Sequence, residues 1–361
     1  MAVKRLTKQH LFAMGSKTTI KDVAERAGVS SATVSNVMND KGKVSESTRK
    51  TVLKAVEALN YRPNASAQRR LQKGTRSSIG LVVKEIHNPY FADVTVGVQK
   101  KAEEEGYEIM LSSSEGRRET ERGIVELFVE KDVDGIIINP LLDREADLSH
   151  LFELKRRNIP FVLLEEVHGL KASLVDIDNV EAAQELTTYL IDRGHEDIIH
   201  FSGPEYSMHS EERVQGFRRT FFESGLVYSE DYVVRAGAHL RDGYETGMTY
   251  FQETDRADWP TAVTCYNDLV AIGLLRALRE LEVSVPEEVS VAGFDNIEIC
   301  EYAPVPLTTI GVPTEEMGQT AVEVLLRHIE SEGDHTPEVV NLEPKMTVRA
   351  STAPAPTTVK A

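Results

Sequence analysis

From Ser77 to about residue 350, short apolar runs alternate with longer stretches whose apolar positions recur every three or four residues. The runs Ile79–Val83, Glu108–Leu111, Gly135–Ile138, Phe161–Leu164, Ile198–Phe201, Ala262–Cys265 and Val289–Ala292 predict strands. Most are too continuously apolar to leave one face in water, as expected of strands covered on both sides. Between them the spacing predicts amphipathic helices over Ala92–Glu105, Val180–Asp192, Glu211–Ser224, Asp268–Leu281 and Thr314–Ile329. The last of these gathers Met317, Ala321, Val324, Leu325 and His328 on one face. Such alternation implies an α/β core of parallel sheets with helices on both faces.

The first part of the chain has a different rhythm. Thr19, followed three residues later by Asp22, makes a capping-box-like start to a helix over Ile20–Ala27 with Val23 and Ala24 inward. Gly28 suits the turn that ends it. Ser30 caps a second helix over Ser31–Asn39, with Val34, Val37 and Met38 inward. Ser45 opens a third, with Val52, Leu53, Val56 and Leu59 facing its core. Two short helices joined by Gly-Val-Ser and braced by a third form a helix-turn-helix. Its second helix is the element that enters a major groove, offering Ser31, Ala32, Thr33, Ser35 and Asn36.

Charge sharpens this division. Residues 1–76 hold 16 basic and 5 acidic side chains, a net of +11. That leaves 25 basic and 53 acidic, a net of −28, for the remainder. A basic head on an acidic body is the footprint of phosphate-backbone contact. No apolar run reaches the ~18 residues of a membrane span, and the N-terminus has no secretory h-region, so a cytoplasmic protein with no membrane partner is expected. The two cysteines, Cys265 and Cys300, sit in apolar settings and read as reduced, buried thiols. His195-Glu-Asp-Ile-Ile-His200 is one residue too long for a zinc-protease motif and overlaps a strand. No dinucleotide, phosphate-loop or nucleophile-elbow motif is present, so no enzyme, metal or cofactor is expected. A sugar-binding protein built on the core alone is the competing reading, and the basic head argues against it.

The run from Thr19 to Asn39, with Val44-Ser45, Thr48-Arg49 and Leu59-Asn-Tyr-Arg-Pro-Asn64, resembles the lactose/galactose-repressor family. The likeness continues through Ile79-Gly-Leu-Val82, Asn88-Pro-Tyr-Phe91, Val133-Asp-Gly-Ile136 and Arg193-Gly-His195. It extends to Ser202-Gly-Pro204, Arg213-Val-Gln-Gly-Phe217, Asn267-Asp268, Gly293-Phe-Asp295 and Leu307-Thr-Thr-Ile310. It covers the chain from 18 to about 350. The resemblance implies a helix-turn-helix head over 18–62, after a flexible arm over 1–17, and a hinge helix and linker over 63–76. A two-lobed, periplasmic-binding-protein-like core over 77–350 then precedes a disordered tail over 351–361. The lobes are expected to comprise 77–176 with 304–335, and 177–303 with 336–350. A homodimer on a near-palindromic operator follows, with a small effector, a sugar or sugar derivative, between the lobes and controlling repression.

Carried over position by position, Ser31 and Ala32 match the pair that chooses bases, while Asn36 faces a base edge or a phosphate. Thr33, Ser35 and Asn39 match phosphate contacts, and Thr19, Ser30, Asn64 and Ala67 complete the DNA-facing set. The family usually places a minor-groove leucine seven residues after the proline matching Pro63. Here Arg70 stands at that spacing and Leu71 one later, a slip of ~100° on a helix. Either the extra residue is absorbed near Asn64-Ala65 and Leu71 is the wedge, which is the expectation, or Arg70 fills the groove. In the effector cleft Asp178, Arg213, Asn267 and Asp295 match polar ligand contacts, and Asn88, Tyr90 and Phe91 line the mouth. Asp178 and Asn267 also stand where helix caps belong, and Asp295 where a turn does. Glu165-Glu166 falls where relatives often carry an aspartate. Trp259 reads as packing.

Overall fold

The computed structural model describes residues 20–38, 44–59, 77–142, 147–205, 207–331 and 336–356. It divides into a unit up to Arg76 and a unit from Ser77 onward.

In the first unit α1 (Ile20–Ala27), α2 (Ser31–Met38) and α3 (Glu46–Ala58) enclose Val23, Ala24, Val34, Val37, Val52 and Ala55. Gly28 adopts φ +66°, and the Val29 amide closes the end of α1 on the Ala24 carbonyl. Ser30 Oγ accepts from the Thr33 amide at 3.1 Å, and Ser45 Oγ from the Thr48 amide at 3.2 Å. Both serines therefore cap as expected. One inward assignment is corrected: Leu53 is 47% exposed, and Ala55 is buried in its place. Val52, Ala55, Val56 and Leu59 share a stripe at three-to-four spacing, from which Leu53 is rotated by one position. Thr19, Asn39, the hinge residues Asn64, Ala67, Arg70 and Leu71, and the arm lie outside the described residues.

The second unit holds two six-stranded sheets. The first has β1 (Ser78–Val83), β2 (Glu108–Ser113), β3 (Gly135–Ile138), β4 (Phe161–Leu163), β5 (Ser173–Ile177) and β11 (Val339–Leu342), in the order β11-β5-β4-β3-β1-β2, all parallel. The second has β6 (Ile198–Ser202), β7 (Val233–Arg235), β8 (Ala262–Cys265), β9 (Ser290–Asp295), β10 (Thr308–Gly311) and β12 (Lys345–Thr347), in the order β12-β10-β9-β8-β6-β7. Only β12 runs antiparallel there. The helices are α4 (Pro89–Glu104), α5 (Arg118–Glu130), α6 (Ser149–Arg156), α7 (Asn179–Ile191), α8 (Met208–Glu223), α9 (Leu240–Glu253), α10 (Asp268–Glu280), the short α11 (Ile299–Tyr302) and α12 (Thr314–Glu330). Helices α4 and α12 cross with their backbones nearly touching, since a Cβ on Gly97 would lie 2.0 Å from the Glu315 carbonyl oxygen.

This topology moves two of the expected lobe crossings. Thr308–Gly311 pairs with β9, so the first lobe is re-entered after Gly311, not near 303. Val339–Leu342 pairs with β5, so the return comes after Leu342, not near 336. Both are four-residue ladders, too short to stand out from their surroundings by periodicity. The tail assignment is also corrected over 351–356. Ser351 is fully buried, donates from Oγ to the Val291 carbonyl and accepts from the Thr308 amide. The Ala353 carbonyl pairs with His195 Nε2 at 2.9 Å, and the Ala355 amide donates to the Arg193 carbonyl. Backbone and serine hydrogen bonds hold this segment, and hydropathy does not report them.

Candidate functional site

Parallel sheets leave the carboxyl ends of their strands facing one crevice, and the residues just past those ends line a cavity of about 130 Å³ between the lobes. From the first lobe come Lys84 after β1, Asn88, Tyr90 and Phe91 at the start of α4, and Asn139 after β3. From the second come Ser207, His209 and Arg213, then His239, Tyr266, Asn267 and Asp295. Six of the seven expected effector residues are thus brought together. Asp178 is not. It is exposed and caps α7, its Oδ1 accepting from the Glu181 amide at 2.9 Å; the buried carboxylate on that strand is Asp176.

Local chemistry fixes each group. Asn88 caps α4 by accepting from the Tyr90 amide at 3.1 Å, and the Tyr90 and Phe91 rings meet edge to face. Asn267 caps α10 by accepting from the Val270 amide at 2.9 Å, while its Nδ2 donates to the Ala238 carbonyl. The Arg213 guanidinium lies 3.6 Å over the Phe294 ring, donates to Asn179 Oδ1 at 3.1 Å and to the Tyr266 carbonyl, and stands 3.9 Å from Asp295 Oδ1. Burial drives the Asp295 carboxyl well above the usual carboxylate range, against the pull of Arg213.

Among the described residues, Glu165, His209 and His239 make polar contacts from lobe to lobe away from the crossing segments. Glu165, fully buried, pairs with Lys84 on its own lobe and accepts from Ser207 Oγ and the Met208 amide, both at 2.9 Å, at the start of α8. Burial pushes its carboxyl up, but Lys84, His209 and these donors overcome that and hold it at about 2. His209 Nε2 meets Asp176 Oδ2 at 2.8 Å, and burial lowers its pKa less than Asp176 and Glu165 raise it. His239 Nε2 meets Glu85 Oε1 at 2.8 Å.

Sequence reasoning missed Lys84, Asn139, Ser207, His209, His239 and Tyr266, and flagged Glu165 only as a departure from the aspartate that relatives often carry. A signal existed for Lys84 and Asn139, each the first polar residue after a buried strand. Asn139 Oδ1 is buried and has no hydrogen-bond partner among the described residues. Trp259 packs edge to face on Phe251 and donates to the Thr254 carbonyl, as expected of a packing residue. Cys265 and Cys300 are buried and free.

On α2 the Ala32 and Asn36 side chains are exposed and Ser31, Thr33 and Ser35 half-buried, opposite Val34 and Val37. The helix carries no acid in its first turn to oppose a phosphate. The Ser30 hydroxyl is engaged with the Thr33 amide and hydroxyl, so its position serves the cap.

Among the described residues no cluster of three or more His, Cys, Asp or Glu could hold a metal ion, and no helix is long and apolar enough to cross a membrane. Residues 19–64 match the model for bacterial regulatory proteins of the lacI family, and residues 187–352 match a periplasmic binding protein-like domain. The chain is 37% identical to the HTH-type transcriptional repressor PurR of Vibrio vulnificus (strain CMCP6) over 92% of this chain and 97% of that one. Its structure is similar to a transcriptional regulator CelR–cellobiose complex (TM-score 0.69, 31% identity, 92% of this chain and 99% of the other). It is similar also to the lac repressor dimer bound to operator and the anti-inducer ONPF (TM-score 0.70, 26% identity, 94% and 100%). Head, two-lobed core and relatives agree: the chain belongs to the lacI family of DNA-binding transcriptional repressors.

Proposed function

We propose that this repressor binds a neutral, hydroxyl-rich effector, a sugar or simple sugar derivative, between its core lobes, and that the effector sets its affinity for a near-palindromic operator. The observation that carries the reading is the pairing of charges around the cavity. Lys84 faces Glu165, Arg213 faces Asp295, His209 faces Asp176 and His239 faces Glu85. A phosphorylated ligand needs unopposed cations; here Lys84, His209 and His239 each have an acid at close range, and the Arg213 guanidinium is already engaged by Asn179 Oδ1 and the Tyr266 carbonyl. What remains suits hydroxyl groups: the unpartnered Asn139 Oδ1, the Asn88 amide, and the Tyr90, Phe91 and Tyr266 rings for a sugar face. The similar regulator with cellobiose supports the same class.

Arg213, Asn267, Asp295, Asn88, Tyr90 and Phe91 hold the effector, with Lys84 and Asn139 added to the set. Ser31, Ala32 and Asn36 read bases, with Thr33 and Ser35 on phosphates. The chain works in the cytoplasm as a homodimer, as the two-fold symmetry of a near-palindromic operator requires. A calorimetric screen of neutral sugars, sugar phosphates, sugar acids and purines tests the ligand class, followed by operator band shifts with each hit. Binding confined to sugar phosphates or purines would refute the carbohydrate reading.

A further inference from the structure

Asp295, the last residue of β9, presents its carboxylate to Arg213 from a backbone conformation that residues with side chains seldom adopt. Its φ is +114°, and that of Asn296 is +59°. Such a turn persists only where its surroundings hold it. Asp268, the first residue of α10, is fully buried and outside the cavity lining, and its carboxylate reaches this turn. Oδ2 accepts from the Ile297 amide at 2.9 Å, and Oδ1 from Thr309 Oγ1 on β10 at 2.6 Å. The Asn296 amide and the Cys300 thiol also favour its ionised form. Gly293 makes the approach possible, since a Cβ there would lie 2.2 Å from Asp268 Oδ1. A buried carboxylate is costly unless its hydrogen bonds are filled, and here one donor is the turn's own Ile297 amide and the other lies on the neighbouring strand β10.

We propose that Asp268 is a positioning residue for effector recognition: it holds the 295–297 turn so that the Asp295 carboxylate faces Arg213 and the cavity. The proposal rests on the reading of this cleft as the effector site. It also gives Asp268 an electrostatic role. The charged and titratable groups acting on Asp295 are Arg213 and His209 on α8, Asp268 on α10, Tyr90 on α4 and Cys300 on α11. Arg213 and His209 favour its ionised form, and Asp268 opposes it. Replacing the Asp268 charge with a neutral amide therefore moves the titration of Asp295 to lower pH.

The test uses the full-length chain with Asp268→Asn and Thr309→Val, the second removing a single hydrogen bond should the first not fold. Hydrogen–deuterium exchange is followed in peptides covering 293–300, and cellobiose binding is measured by calorimetry from pH 6 to 9. Asp268→Asn should speed exchange at Asn296 and Ile297 by at least about tenfold, the loss of a charge-assisted hydrogen bond, and Thr309→Val by less. Exchange in β1 and β3 should not change. Cellobiose affinity should fall, and the pH midpoint of binding should move down. Unchanged exchange in 295–297, or weakened binding with an unmoved midpoint, overturns the proposal. If the wild-type chain takes up no cellobiose, that bears on the carbohydrate reading alone, and the exchange arm decides the role of Asp268.

Discussion

Replacing Glu165 with glutamine keeps the shape of the side chain and removes its charge, isolating what that charge does at the junction of the lobes. Its carboxyl is held at about 2, against 4.5 for the free side chain. The difference corresponds to about 3 kcal/mol favouring the ionised native form. The sign follows from the depressed native value: the stabilisation is complete above the unfolded value of 4.5 and disappears as pH falls towards 2. Glutamine still accepts from Ser207 Oγ and the Met208 amide, so the main loss is the partner of a half-buried Lys84 ammonium. A loss of roughly 3 kcal/mol is at the low end for breaking a buried ion pair from one side. Trp259 is the only tryptophan and packs in the second lobe, so its fluorescence follows core unfolding without a signal from the head. Urea titrations should place Glu165→Gln about 3 kcal/mol below wild type at pH 7, with the gap narrowing by about 1 kcal/mol at pH 3.5. Adding Lys84→Met should recover part of the loss. A gap under about 1 kcal/mol at pH 7, or one that does not change with pH, would mean that the pair is solvated and the cross-lobe contact incidental.

Arg213→Ala should abolish the effect of any sugar hit on operator band shifts while leaving effector-free DNA binding nearly intact; a normal response would remove Arg213 from the ligand set. Operator affinity should fall linearly with log salt as phosphate counterions are released, and a flat plot would contradict the assignment of DNA contact to the +11 head. Truncation after Ala350 strips Ser351 and Ala353 of their bonds to Val291, Thr308 and His195. It should lower core stability by about 2–3 kcal/mol, at roughly 1 kcal/mol for each buried bond lost; an unchanged urea midpoint would return the segment to the status of a tail.

What the sequence made legible followed from periodicity and caps. Seven strand runs overlap observed strands, none overhanging by more than a residue, and the Ile20–Ala27 helix and the Ser30 and Ser45 caps stand where they were expected. Each of these signals lies within a few neighbouring residues. The failures share the opposite property. Leu53 was placed inward because it is apolar, but the helical stripe passes through Ala55. Thr308–Gly311, Val339–Leu342 and Ser351 are defined by partners well outside their own neighbourhood in the chain, and nothing in their own composition distinguishes them from loop. The cleft shows the same division. Arg213 and Asp295 were found through motif resemblance, whereas Glu165 acquires its role only when β4 and the start of α8 meet across the lobes. Asp178, Asn88 and Asn267 all cap helices, and the sequence does not separate them; only the fold shows that Asn88 and Asn267 line the cavity while Asp178 stands outside it.

The arrangement of the cross-lobe contacts constrains how an effector can act. The chain passes between lobes after Ile177, Gly311 and Leu342, so the lobes can move only by bending three adjacent segments. A ligand shifts such an equilibrium only by its differential affinity for the two states. A molecule touching Asn88 and Asn139 on one side and Arg213 and Asp295 on the other has that differential affinity, because opening separates the two sets. The protein's own contacts, Glu165 to the start of α8, Asp176 to His209 and Glu85 to His239, favour the same closed arrangement. On the effector reading proposed above, a ligand has to supply only the part of the closing free energy that these contacts do not. A bias built into the cleft also makes its response adjustable without touching a ligand contact, since any change at Glu165, His209 or His239 alters the population that the ligand finds already closed.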